Sequence, residues 1–250
     1  MKYFLSVVSG LIVAGGLAAD TAVAQSHARV FDVELGGPVS ALPADEWVDP
    51  SCGTDGGPPS IVLEGFSDFA RCPVEARTGL REIWFIYDDE WEYIARAYRD
   101  PTEILSYSAN VFFAQPIITS LMVDDAGLVQ GYRVITDPRA PIEVRMEASL
   151  LYMIFRGQFT EAPWQCTDLP QEEREHPIDG RFLKASCEMV SEKHFVAVEG
   201  RHLLKPGQDV REVPRSLTQA RGDFESSARL EVYSIDAVRD APCCRASASP

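Results

Sequence analysis

The densest run of side chains able to do chemistry is "YDDEWEYIARAY", residues 87–98, where Asp88, Asp89, Glu90 and Glu92 sit beside Tyr87, Trp91 and Tyr93. Clustered carboxylates suit metal binding or acid/base work. The same letters also spell a helix start. Asp89 is placed as an N-cap, and Glu92 three residues on completes a capping box. Trp91, Ile94, Ala95 and Tyr98 follow the i, i+3, i+4, i+7 rule and predict one apolar face. Glu90 and Glu92 in the first turn, and Arg96 and Arg99 in the last, complement the helix dipole. Glu92 and Arg96 form an i, i+4 pair, and Asp100-Pro101 ends the run. Only Asp88 is left unexplained, so the helix-start reading is preferred over a metal or catalytic one.

Other candidate groups are sparse. The histidines are His27, His176, His194 and His202. His194 and His202 would share one face of a strand but lie roughly 27 Å apart along it, too far to share a metal. His176 sits among Glu172, Glu173 and Glu175, as expected of a solvated acidic loop. His27 would stand third in a chain beginning at Gln25, an arrangement that binds copper(II) adventitiously. "GFSDF" (65–69) begins like a nucleophile elbow, but Phe69 stands where glycine is required. There is no H-E-x-x-H and no P-loop. A dispersed triad, such as Ser120 with His194 and an aspartate, is the hydrolase alternative, with His194 or His176 as base. No cofactor-binding or metal-binding motif is assigned.

The cysteines are Cys52, Cys72, Cys166, Cys187, Cys243 and Cys244. An even number in an exported chain implies disulfides. The simplest pairing is local, Cys52–Cys72 and Cys166–Cys187, each loop of about 20 residues contributing roughly 3 kcal/mol by chain-entropy arithmetic. Adjacent Cys243 and Cys244 could form a vicinal disulfide, pair with separate partners, or bind a soft metal. A thiol or metal role there is a further alternative. The absence of C-x-x-C disfavours thioredoxin-like chemistry and ribbon-type zinc sites.

The elements that must position these groups follow from pattern. "RVFDVELGGPVSALP" (29–43) reads as a strand and 44–60 as a Gly/Pro/Asp-rich loop. "IVLEGF" (61–66) and "EIWFIY" (82–87) are strand candidates. Residues 117–136 form a hairpin around Asp124-Asp125-Ala126-Gly127, with Gly127 in the left-handed position. The two aspartates there are turn residues, since an EF-hand's alternating ligands are missing. "PIEVRMEASLLYMIFRG" (141–157) predicts one helix covered on more than one side, with Met146 and Met153 as core filler. Residues 165–181 read as an acidic loop, 182–190 and 193–204 as paired strands, and 227–235 as the last strand. The tail 241–250 is small and polar, and disorder is expected. The predicted class is α+β: a mostly antiparallel sheet packed by two main helices and stapled by disulfides.

Residues 1–24 carry Lys2, an apolar run over 3–19 and Ala22-Val23-Ala24, the signature of a cleaved secretory signal. The single α+β domain would span 25–240, with division into two closely packed halves near 137–141 as the alternative. Net charge is −15, which opposes nucleic-acid and anionic-membrane binding and favours a basic partner. No further apolar run is long enough to span a membrane. The reading is an acidic periplasmic or secreted protein, a non-enzymatic binding or interaction domain whose partner is another protein or a small molecule. The loops at 44–60 and 165–180 are its contact candidates, and its charges are expected to shape and solubilise the fold and not to transform a substrate.

Overall fold

The computed structural model describes residues 28–205, 224–239 and 241–244. The predicted signal, His27, residues 206–223, residue 240 and the end of the tail lie outside the described residues. Nine strands run β1 (Trp47–Cys52), β2 (Arg81–Tyr87), β3 (Val111–Phe112), β4 (Gln115–Val123), β5 (Val129–Thr136), β6 (Gln165–Asp168), β7 (Leu183–Val190), β8 (His194–Leu204) and β9 (Phe224–Ser234). They form one antiparallel sheet in the order β1-β2-β4-β5-β9-β8-β7-β6, with β3 pairing to β4. Helices α1 (Glu90–Tyr98), α2 (Pro101–Tyr107), α3 (Ile142–Arg145), α4 (Leu150–Gln158) and α5 (Ile235–Val238) are all short. The class is therefore more sheet-dominated than two main helices implied. None of these helices is long and apolar enough to cross a membrane.

Strand alternation gives the sheet two chemically different faces. Ile83, Phe85, Leu121, Tyr132, Val134, Leu230, Val232, Val196 and Val198 face one side and join Leu151, Tyr152 and Phe155 of α4 in the main core. Trp47 of β1 stacks on Phe85 there, ring centroids 4.4 Å apart. The other face has no helical layer along much of its length, and the loop around Asp55 and the turn carrying Glu75 cover its centre. At one end α5 and residues 241–244 plug it, with Leu80, Met122, Phe195, Tyr233, Val238 and Cys244 forming a second, smaller cluster. Cys52 is bonded to Cys72, Cys166 to Cys187 and Cys243 to Cys244.

The 87–98 motif is a helix start. Asp89 accepts from the Glu92 amide at 3.1 Å and from the Ala109 amide at 2.6 Å. The Glu92 carboxylate holds Arg96 at 2.7 Å, Asn110 at 3.0 Å and the Ser108 hydroxyl, which stitches α1 to the turn after α2. Asp100 and Pro101 end α1 and also begin α2, with Asp100 capping the Thr102 and Glu103 amides. The predicted apolar face is a correction. Trp91 is 69% and Tyr98 82% exposed, and Ala95 alone of the four is buried. Anchored through Asp89 and Glu92, α1 packs mainly on α2.

The 124–127 turn forms as expected. Gly127 takes a φ of +78°, and Asp124 caps the Ala126 and Leu128 amides at 2.9 Å each. Other expectations fail. Residues 29–43 hold two 3-10 turns and no strand, and β1 lies inside the supposed loop 44–60. The Gly, Pro and Asp content of 44–60 misled, because β1 is an edge strand that tolerates Pro50. Residues 61–66 make only a single bridge, Val62 to Ser51, before a 3-10 helix over Phe66–Arg71. The helix over 141–157 is broken into α3 and α4 by a turn, and α4 buries one face only. Met153 is 63% exposed and Met146 half-buried, so neither is core filler. In the tail, Cys244 is 4% exposed and packed, because the apolar plug gives residues 241–244 a partner.

Candidate functional site

On the open face, register places six residues in one row across the sheet: Glu188 (β7), Ala197 (β8), Glu231 (β9), Arg133 (β5), Ser120 (β4) and Trp84 (β2). Arg133 is its centre and is 1% exposed. Its Nε donates to Glu231 Oε1 at 2.8 Å and its Nη2 to Glu75 Oε1 at 2.8 Å. Its Nη1 lies 2.9 Å from Glu82 and 3.2 Å from Asp55, within ion-pair reach but out of hydrogen-bond alignment. Arg77 and Arg229 converge on the same Glu231 oxygen, and Arg229 also bonds Asp55.

Local structure brings the loop acids in. The Gly53 amide donates to the Glu82 carbonyl at 2.9 Å, and the Asp55 amide to Glu82 Oε2 at 2.7 Å. A Cβ on Gly53 would lie 2.3 Å from the Glu82 side chain, so only glycine lets the loop cross so closely. Glu75 is oriented by the Thr78 hydroxyl at 2.6 Å, in the turn that precedes β2. Beside it, the Cys243 amide donates to the Arg77 carbonyl at 3.2 Å, tying the vicinal disulfide to this turn.

The network holds four acids (Asp55, Glu75, Glu82, Glu231) against three arginines (Arg77, Arg133, Arg229). Burial alone would raise the Glu231 carboxyl, but Arg229, Arg133 and Arg77 outweigh it and hold it at about 2. Burial opposes the Arg133 charge, yet Glu231 and Glu82 more than compensate and push its pKa up. Burial also raises the Tyr233 phenol, which Glu231 reinforces. Glu231, Arg133 and Tyr233 thus keep one protonation state through the neutral range. These three form an electrostatic scaffold, unlike a poised acid/base pair. The network also departs from the expectation that charge here only shapes and solubilises the fold: ionisable groups from five separate segments meet within bonding reach.

Two cavities lie along this face. One, of about 290 Å³, opens over Ala197 and is lined by Asp55, Arg77, Glu188, Phe195, Arg229 and Cys243, among others. The second, of about 500 Å³, is bordered by Arg145, Arg201 and Phe224. They share Asp55, Glu199 and Arg229, and so form one groove. Of the expected contact loops, 44–60 supplies Asp55 and Gly56, while no residue of 165–180 lines either cavity.

The other sequence candidates are scattered. Ser120 is 2% exposed and lies three strands from β8, about 14 Å from the strand carrying His194. The His194 and His176 side chains have no hydrogen-bond or ion-pair partner among the described residues. Ser67 sits exposed on the 3-10 helix. His202 is 4% exposed, with Nδ1 3.2 Å from Ser226 Oγ. That hydroxyl donates to the Met146 carbonyl at 2.9 Å. Its proton being committed there, His202 Nδ1 must donate to it, which is the reverse of a base activating a nucleophile. Among the described residues, no group of three or more His, Cys, Asp or Glu is placed to hold a metal ion. Reading residue by residue missed the Arg133 network. The available signal was an arginine in "GYRVI" and a glutamate in "RLEVY", each alternating with buried apolar neighbours. Comparison with family models, curated proteins and solved structures finds no match for this chain.

Proposed function

We propose that this protein is an exported, non-enzymatic binding domain that takes a polar partner in the groove on the open sheet face. The observation that carries the reading is the groove itself. It is built on a salt-bridge network whose groups are fixed by one another, and the central Glu231 and Arg133 hold their charges, which suits recognition. The partner is a small molecule or an exposed segment of another protein, and the net charge of −15 favours a basic one. Three disulfides and the signal-like N-terminus support a periplasmic or secreted location.

The test is native mass spectrometry of protein recovered from the exported fraction, comparing the wild type with Ala197→Leu, which fills the groove floor. The expected result is a co-purifying partner that the variant loses while its circular dichroism stays unchanged. A partner retained by the filled variant, or substrate turnover by purified protein, would refute the reading.

A further inference from the structure

Within that groove, and resting on its being a binding site, we infer that the cavity over Ala197 is a subsite for a small organic cation, with Glu188 as its counter-ion. Glu188 stands opposite Ala197, which stands opposite Glu231. Two strand spacings, roughly 10 Å, therefore separate the backbones of the two glutamates, and the single methyl between them leaves the space open.

The charges around this space differ in how far they are committed. Asp55 is engaged by Arg133 and Arg229, Glu231 by Arg77, Arg133 and Arg229, and Glu199 by Arg201 at 2.7 Å. Glu188 is half-buried, and among the described residues it has no ion-pair or hydrogen-bonding partner for its carboxylate. The arginines are weaker anion receptors by comparison. Arg133 is sealed at 1% exposure, Arg229 is bonded to Glu231 and Asp55, and Arg77, with its side chain 40% exposed, is held by Glu231 through Nη2. An anion at Arg77 would sit against the Glu231 carboxylate.

Counting the charged groups that line the cavity together with their ion-pair partners gives the same sign. Asp55, Glu75, Glu82, Glu188, Glu199, Glu225 and Glu231 stand against Arg77, Arg133, Arg201 and Arg229. The field in this low-dielectric recess therefore attracts positive charge. A primary ammonium or guanidinium fits the Glu188 carboxylate, and the Ala197 methyl with the Cys243 wall offers apolar surface to a short carbon chain.

The experiment is isothermal titration of the full mature protein at pH 7.5 and low salt with cadaverine, glutarate and 1,5-pentanediol, which share a five-carbon skeleton and differ in charge. Cadaverine should bind with an affinity that falls as salt rises. Glu188→Gln should weaken it about ten- to a hundredfold, the scale of one charge-assisted hydrogen bond. Glu173→Gln, at an exposed site outside the groove, should leave it unchanged. Ala197→Leu provides a second variant that blocks the space without touching a charge. Cadaverine binding that survives both Glu188→Gln and Ala197→Leu overturns the inference. Preference for glutarate or the diol, abolished by Ala197→Leu, also overturns it but leaves the binding-domain reading standing. If none of the three binds, the inference falls, and the native mass spectrum decides the broader reading on its own.

Discussion

Replacing Arg133 with methionine is the most direct probe of the network. Methionine keeps much of the aliphatic stem, so the change isolates the guanidinium. The consequences differ among the four carboxylates. Glu231 keeps Arg77 and Arg229. Asp55 is 61% exposed and keeps Arg229, and Glu75 is 20% exposed and keeps the Thr78 hydroxyl. Glu82, 7% exposed, keeps only the Asp55 amide. Most of the cost should therefore fall on Glu82 as an uncompensated buried charge. Breaking a buried pair in this way costs about 3–5 kcal/mol, which corresponds to a fall in Tm of about 6–20 °C for a chain of this size. Glu82→Gln alone should cost less, about 1–2 kcal/mol, because Arg133 retains three carboxylates. The double variant Arg133→Met/Glu82→Gln should be about 2 kcal/mol more stable than the sum of the single changes, since it removes the stranded charge. Urea unfolding followed by circular dichroism, disulfides intact, measures all three. A loss under about 1 kcal/mol for Arg133→Met, or strict additivity in the cycle, would refute the idea that the network is held by charge compensation.

Three further outcomes follow from the same geometry. Glu231 titrates at about 2 in the fold against an ordinary 4.5; its stabilisation, on the order of 3 kcal/mol, is present above pH 4.5 and lost as pH falls towards 2, so Glu231→Gln should flatten an acid-unfolding curve in that window. Burial lowers the His202 pKa and Arg181 adds to the shift, with Glu147 and Asp179 opposing it; the neutral ring is favoured in the fold, so stability should decline as pH drops below about 6.5, and His202→Gln should remove that slope in unfolding titrations. Gly53→Ala would drive a methyl into the Glu82 side chain and should destabilise by about 1–3 kcal/mol in the same urea assay, whereas Gly157→Ala, where a Cβ meets open space, should be neutral or slightly stabilising.

Local signals reached some elements and stopped at others. The cap at Asp89, the Asp124–Gly127 turn and strands β2, β7, β8 and β9 were legible because each rests on residues within a few positions of one another. The break between α3 and α4, the outward face of α1 and the strand hidden at 47–52 were not. Each depends on what the segment packs against, and the helical pattern of Trp91, Ile94 and Tyr98 does not reveal that α2 and not the sheet would be its neighbour.

The sequence by itself determined the antiparallel character of the fold, its acidity and the alternation that sends Arg133 and Glu231 away from their apolar neighbours. Tertiary structure alone decided that these two residues, about a hundred positions apart, lie side by side. β9 inserts between β5 and β8, and that register is a long-range pairing with no local code. The Arg133–Glu231 pair at the centre of the groove, and the placing of Ala197 and Glu188 beside it, follow from that insertion. Charge in this chain acquires its role from which strands meet, because Coulomb energy depends on separation and burial, and neither is written in sequence distance.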